Sequence, residues 1–146
     1  PYGACSLGFP HQFIRNIYGA IKIYDTRVGT DPFFPPELLN DFELKLIGTL
    51  GNEVGTTTGR LRTVNWLNLD KLLMAINLTG TTTVIISKVD ILKNLNLFKL
   101  FYLGKLETFD SIDNMTNFVS HILNKHCPLL TNIIYSDNPQ YVSFPA

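Results

Sequence analysis

The sequence predicts an α/β fold, a mostly parallel sheet with flanking helices. Three observations carry that prediction. Segments of helical period alternate along the chain with short β-branched runs. One such run, residues 82–87, is apolar at consecutive positions, as in a strand covered on both faces. The composition also allows a real core. Of 146 residues 45% are apolar and only 16% charged, and a chain of this length can bury roughly 70% of its unfolded surface.

The elements follow in order. Pro10 opens a helix across residues 12–18. Residues 20–28 read as one strand, with Ile21, Ile23 and Asp25 on alternating positions. Residues 29–36 form a loop punctuated by Gly29, Pro32, Pro35 and Pro36. Leu38, Leu39, Phe42 and Leu46 stand near helical spacing and predict a helix over 37–48. Residues 51–59 are a Gly/Thr loop without period. Asn68 or Asp70 caps a helix that runs to about Leu78, buries Leu72, Leu73 and Ile76, and ends at Gly80. Strands follow at 82–87 and 95–103. Ser111 or Asp113 then starts a helix with Ile112, Met115, Val119, Ile122 and Leu123 on one face. Residues 131–135 form the last strand.

Composition excludes several functions. Twelve basic and twelve acidic residues cancel, so the chain lacks the cationic surplus that nucleic acid or an anionic membrane surface requires. No apolar run reaches the roughly 18 residues of a membrane span. Cys5 and Cys127 are too few for a disulfide scaffold, and two free thiols suit a reducing, cytoplasmic setting. The three histidines have no metal-like spacing with either cysteine, and no Ser/His/Asp or Cys/His set assembles.

In parallel α/β sheets ligands sit outside the C-terminal strand ends, and three motifs fall there. Ser87-Lys88-Val89-Asp90 follows the strand at 82–87. A carboxylate at Asp90 accepts from both the ring N–H and the exocyclic amine of guanine, a donor pair adenine lacks, and the Lys88 stem can lie along the base. The same residues also fit a surface lysine followed by an aspartate that caps the next turn. The loop Gly55-Thr56-Thr57-Thr58-Gly59-Arg60-Leu61-Arg62 offers hydroxyls, backbone N–H groups and two arginines on alternate positions, a set that grips carboxylate or phosphate. It also fits a solvated turn with two exposed arginines, and it lacks the G-x-x-x-x-G-K-[ST] phosphate-loop spacing. Thr26-Arg27-Val28-Gly29 ends a strand with a glycine that permits close approach of a ligand, or simply a strand-to-loop junction.

Taken together these motifs resemble the C-terminal half of adenylosuccinate synthetases. The likeness runs through Gly3-Ala4-Cys5-Ser6-Leu7-Gly8, Tyr24-Asp25-Thr26-Arg27-Val28-Gly29, Pro36-Glu37-Leu38, Gly51-Asn52-Glu53-Val54-Gly55-Thr56-Thr57-Thr58-Gly59-Arg60, Trp66-Leu67 and Lys88-Val89-Asp90. It implies a P-loop-NTPase-like mostly parallel sheet. It implies a ligase of purine biosynthesis that uses GTP and Mg²⁺ to join L-aspartate to IMP, working as a homodimer. Thr57, Thr58, Arg60 and Arg62 would hold the aspartate carboxylates. Arg60, with Val28 and Gly29, would meet the IMP ribose, and Arg62 would also meet GTP. Lys88 and Asp90 would read the guanine, assisted by the turn Ser136-Asp137-Asn138-Pro139, in which Asn138 stands where the family has glycine.

The resemblance also implies what is not in these residues. The family's phosphate loop, catalytic Asp and His and Mg²⁺ contact belong to its N-terminal half. Residues 1–146 are therefore expected to form the C-terminal part of one domain, with no internal boundary, and to be inactive alone. Leu61 and Thr63 stand where the family usually has basic residues, and residues 104–110 lead almost straight into the last helix. A compact viral-type relative that joins aspartate to dGMP, and a non-catalytic structural remnant, are the alternative readings.

Overall fold

The computed structural model describes residues 2–29, 31–55, 57 and 59–137. In chain order the elements are α1 (Tyr2–Ser6), β1 (Tyr18–Lys22), β2 (Tyr24–Arg27), α2 (Phe42–Leu50), β3 (Thr63–Asn68), α3 (Leu69–Thr79), β4 (Thr83–Ser87), α4 (Val89–Leu95), β5 (Lys99–Tyr102), β6 (Lys105–Thr108), α5 (Ile112–His126) and β7 (Asn132–Ser136). Short 3-10 turns cover His11–Phe13 and Pro36–Asn40. A parallel three-stranded sheet has the order β1-β4-β7, and a four-stranded sheet the order β2-β3-β5-β6. In the second sheet β3 and β5 run parallel, while β2 and β6 lie antiparallel to their neighbours. The expected α/β architecture holds, with a mixed second sheet added. No helix among the described residues is long and apolar enough to cross a membrane.

The helices begin and end where local chemistry dictates. The Asp41 carboxylate accepts from Leu44 N at 2.9 Å and starts α2. Asn68 Oδ1 accepts from Lys71 N at 3.0 Å and starts α3, which Gly80 closes in the left-handed conformation at φ +66°. Ser111 Oγ accepts from Asn114 N and starts α5. Each cap satisfies a donor the helix leaves unpaired. The apolar faces of these helices and both sheets share one core, in which Ile23, Ile47, Leu69, Ile86, Leu100 and Met115 are fully buried.

Several expectations are corrected. The helix across 12–18 is only the 3-10 turn His11–Phe13. Strand pairing claims the residues after that turn: Ile17 O accepts from Thr82 N at 2.9 Å, and Ile17 N donates to Thr82 Oγ1. The strand at 20–28 is two strands in different sheets. Ile23 N donates to Ser87 O and ends β1, after which β2 turns to pair with β3. Ile23 and Tyr24 are consequently both buried, against the alternation expected of one strand. The helix over 37–48 is a 3-10 turn and α2, divided at Asp41. The strand at 95–103 shortens to β5. Residues 104–110 carry β6, joined to β5 through Leu103 and Gly104, both at positive φ as a two-residue hairpin turn demands. The sequence pattern did not announce β3 or α4.

Candidate functional site

The parallel sheet brings three strand ends level: Lys22 pairs with Ser87, and Ser87 with Ser136. This C-terminal edge is where an α/β sheet offers its loops to a ligand. A cleft of about 350 Å³ opens here, with Lys22, Thr26 and Ser87 on its wall.

A buried carboxylate organises the edge. Glu53 follows α2 and is 4% exposed. Its Oε1 accepts from Tyr24 Oη at 2.8 Å and from Lys88 Nζ at 3.0 Å. Its Oε2 accepts from Lys22 Nζ at 2.5 Å and lies 3.5 Å from Arg62 Nη1. Lys88 Nζ also donates to Gly51 O, and Lys22 Nζ to Thr26 Oγ1. Burial opposes charge on Glu53, but the hydrogen bonds from Lys22, Lys88 and Tyr24 and the Lys22 charge outweigh it and hold the carboxyl below its ordinary range. Burial, then the bonded Glu53 and its charge, push the Tyr24 hydroxyl far up, so Tyr24 stays a donor.

The close approach of Tyr24 explains one glycine. A Cβ on Gly51 would lie 2.3 Å from Tyr24 Oη and 2.9 Å from Ile47 O. Gly51 has ordinary helical torsions, φ −72° and ψ −6°, so space rather than backbone conformation requires glycine there.

The Gly/Thr loop is the tip of a small ladder. Val54 bridges Leu61, Gly55 N donates to Arg60 O, and Arg62 N donates to Glu53 O. Gly59 at φ +63° turns the tip. Thr57 and Arg60 are exposed, whereas Arg62 is half-buried and turned to Glu53. Thr58 lies outside the described residues. Val28 and Gly29 leave the end of β2 exposed, and the Arg27–Asp31 ion pair at 3.6 Å spans the turn. Among the described residues no hydrogen bond or ion pair joins them to Glu53.

The guanine-type motif has a definite geometry. Lys88 precedes α4 in the left-handed conformation at φ +62°, and no side chain caps that helix. Asp90 is therefore no capping residue. It sits in the first turn, and its Oδ1 is buried with no hydrogen-bond partner among the described residues. Ser136 is buried at the end of β7, level with Ser87. Asp137 beyond it pairs with Lys93 at 3.1 Å. Asn138 lies outside the described residues.

Sequence reasoning thus placed Arg62, Lys88 and Ser136 near one edge but missed what joins the first two. Glu53, Lys22 and Tyr24 carry no assigned role in the sequence reading. The available signal was an acid standing two residues before a Gly-rich loop with basic residues on its far side. Among the described residues no group of three His, Cys, Asp or Glu side chains is placed to hold a metal ion.

Comparison with known proteins shows the family. The adenylosuccinate synthetase family model matches residues 2–122. An adenylosuccinate synthetase of Komagataella phaffii is 45% identical over 141 residues, 95% of this chain and 29% of that protein. One from Petrotoga mobilis is 41% identical over 99 residues, 68% of this chain and 23% of that protein. A structure described as fully ligated adenylosuccinate synthetase from Plasmodium falciparum superposes with a TM-score of 0.65 at 22% identity, covering 93% of this chain and 41% of that one. That likeness shows the P-loop-like α/β fold. The chain spans well under a third of the length of these two curated relatives. With the match extending over most of its residues, the chain belongs to the adenylosuccinate synthetase family.

Proposed function

We propose that this chain supplies the guanine-reading and aspartate-holding parts of a GTP-dependent ligase of purine biosynthesis, which joins L-aspartate to IMP and acts as a homodimer. The observation that carries the reading is the buried Oδ1 of Asp90 at the C-terminal edge of the parallel sheet, which has no hydrogen-bond partner among the described residues. An unmet buried acceptor costs about 1–3 kcal/mol, and a guanine N–H supplies the missing donor. The sheet register puts Ser136 beside Ser87, one residue from Lys88. Thr57, Thr58, Arg60 and Arg62 hold the carboxylates of aspartate, Arg60 with Val28 and Gly29 meets the IMP ribose, and Arg62 also approaches GTP. Asn138, which stands where the family has glycine and tolerates left-handed torsions, contributes to GTP binding.

The chemistry assigned to this chain is binding and orientation. Asp90 selects the base, and the arginines direct the aspartate amine toward the nucleotide. Mg²⁺ would neutralise the triphosphate, but the residues here do not fit it: Glu53 is already ringed by Lys22, Lys88 and Arg62.

Calorimetric titration with GTP, ATP and xanthosine triphosphate tests the reading. The protein should prefer GTP to ATP. Asp90→Asn loses charge-assisted bonds worth about 3 kcal/mol, roughly a hundredfold in GTP affinity. It should gain affinity for xanthine, whose 2-oxygen can accept from the new amide. Equal binding of GTP and ATP, or an unaffected Asp90→Asn, overturns the reading.

A further inference from the structure

We propose that Glu53 is a positioning residue that couples the anion loop to the guanine-reading motif, so that a carboxylate bound at Arg62 tightens the hold on GTP. The inference rests on the proposed function and adds a residue and a linkage to it. Its basis is how the two carboxylate oxygens are divided. Oε1 serves the guanine side, through Lys88 and Tyr24. Oε2 faces Arg62 of the anion loop, and Lys22 at the end of β1. The carboxylate is held from both directions along the chain, since Glu53 N donates to Gly48 O at 2.9 Å and Glu53 O accepts from Arg62 N at 3.0 Å.

Three cations share this one carboxylate, and they share it unequally. The lysines sit at 2.5 and 3.0 Å, Arg62 at 3.5 Å. Arg62 is thus the arm most easily drawn away by a competing carboxylate, and its side chain is one-third exposed. When a ligand anion takes the Arg62 charge, the charge of Glu53 concentrates on the two lysines. Lys88 is then held more firmly beside Asp90, and the guanine site is better organised before GTP arrives. By reciprocity GTP must favour the anion to the same degree.

The test is the GTP affinity of the protein measured calorimetrically with and without saturating L-aspartate. In the wild type aspartate should tighten GTP about fivefold or more, the lower range of coupling between sites. Glu53→Gln, with its fold verified by circular dichroism and Trp66 fluorescence, should bind GTP more weakly and lower that ratio. Glu43→Gln, which breaks a 2.5 Å ion pair to Lys99 elsewhere on α2, should leave the ratio as it is. A second measurement needs no variant: L-aspartate should shift the ¹⁵N ammonium resonance of Lys88. An unchanged ratio in Glu53→Gln, or a Lys88 resonance indifferent to aspartate, overturns the coupling alone. A wild type that binds no GTP overturns the proposed function and the coupling with it.

Discussion

Replacing Gly51 by alanine separates two physical effects of opposite sign. The torsions of Gly51, φ −72° and ψ −6°, are ones alanine adopts freely. If backbone entropy decided the outcome, Gly51→Ala would stabilise the fold by about 0.4–1 kcal/mol. The packing predicts the reverse. The new methyl would stand 2.3 Å from Tyr24 Oη and 2.9 Å from the Ile47 carbonyl oxygen. The carbonyl belongs to the α2 backbone, so the Tyr24 ring must move and its hydroxyl must leave Glu53. Overpacking costs about 1–3 kcal/mol, and a lost bond to a charged acceptor about 1.5–3 kcal/mol. After the entropic gain a net loss of about 3 kcal/mol remains. With a urea dependence of about 2 kcal/mol per molar, the midpoint falls by about 1.5 M. Trp66, 5% exposed in the core, reports the transition by fluorescence. Tyr24→Phe removes the atom that clashes most, so the double variant should be less destabilised than the sum of the singles. A stabilised Gly51→Ala, or strict additivity with Tyr24→Phe, refutes the argument.

The same geometry supports two further predictions. Glu53 titrates below its ordinary value of 4.5 in the folded chain, so its contribution to stability is present above that pH and is lost as pH falls through the folded value. Denaturant midpoints followed from pH 7 to pH 3 should therefore drop steeply in the wild type and less steeply in Glu53→Gln; parallel curves would show that Glu53 does not set the acid limb. Gly80→Ala meets only ordinary contacts, with Ile17 Cδ1 at 3.8 Å and Leu129 Cδ1 at 3.9 Å, so its cost is the φ of +66°. That is about 1 kcal/mol, or roughly 2–4 °C in Tm by differential scanning, and an unchanged Tm would contradict the left-handed cap.

Parts of the fold were legible because their signals are local. Asn68 and Gly80 bracket α3, Ser111 opens α5, and the unbroken β-branched run of β4 announces burial on both faces. The missed elements take their form from distant partners. Nothing at Ile23 announces a break, because the break is made by Ser87 O, which accepts its N–H. α4 begins at a left-handed lysine with no side-chain cap, so the usual start signal is absent. The β5–β6 turn places Leu103 at φ +50°, a position where turn rules look for Asn or Gly. The candidate site divides in the same way. Lys88-x-Asp90 stands out because it follows a recognisable strand. Glu53 does not, because its role arises only when α2, β1, β4 and the loop bearing Arg62 meet.

Stability alone is a poor account of that meeting point. α3 and α5 each carry a side-chain cap at the start, so the chain can satisfy helix ends where nothing else is asked of them. At the edge around Glu53 it does not. Lys88 holds a left-handed torsion that costs a residue with a Cβ about 1 kcal/mol or more. α4 starts without a side-chain cap, and Asp90 Oδ1 is buried without a donor among the described residues. The carboxylate at the centre faces three cations, and a buried ion cluster is weak evidence of stabilisation because desolvation offsets its attraction. Departures from local rules that gather at one place are expected where a site is held ready for a ligand. Asp90 Oδ1 lacks a donor among the described residues, and Arg62 has the longest contact with Glu53. On the proposed function, a ligand with N–H donors would meet Asp90, and a second ligand bearing a carboxylate would compete for Arg62.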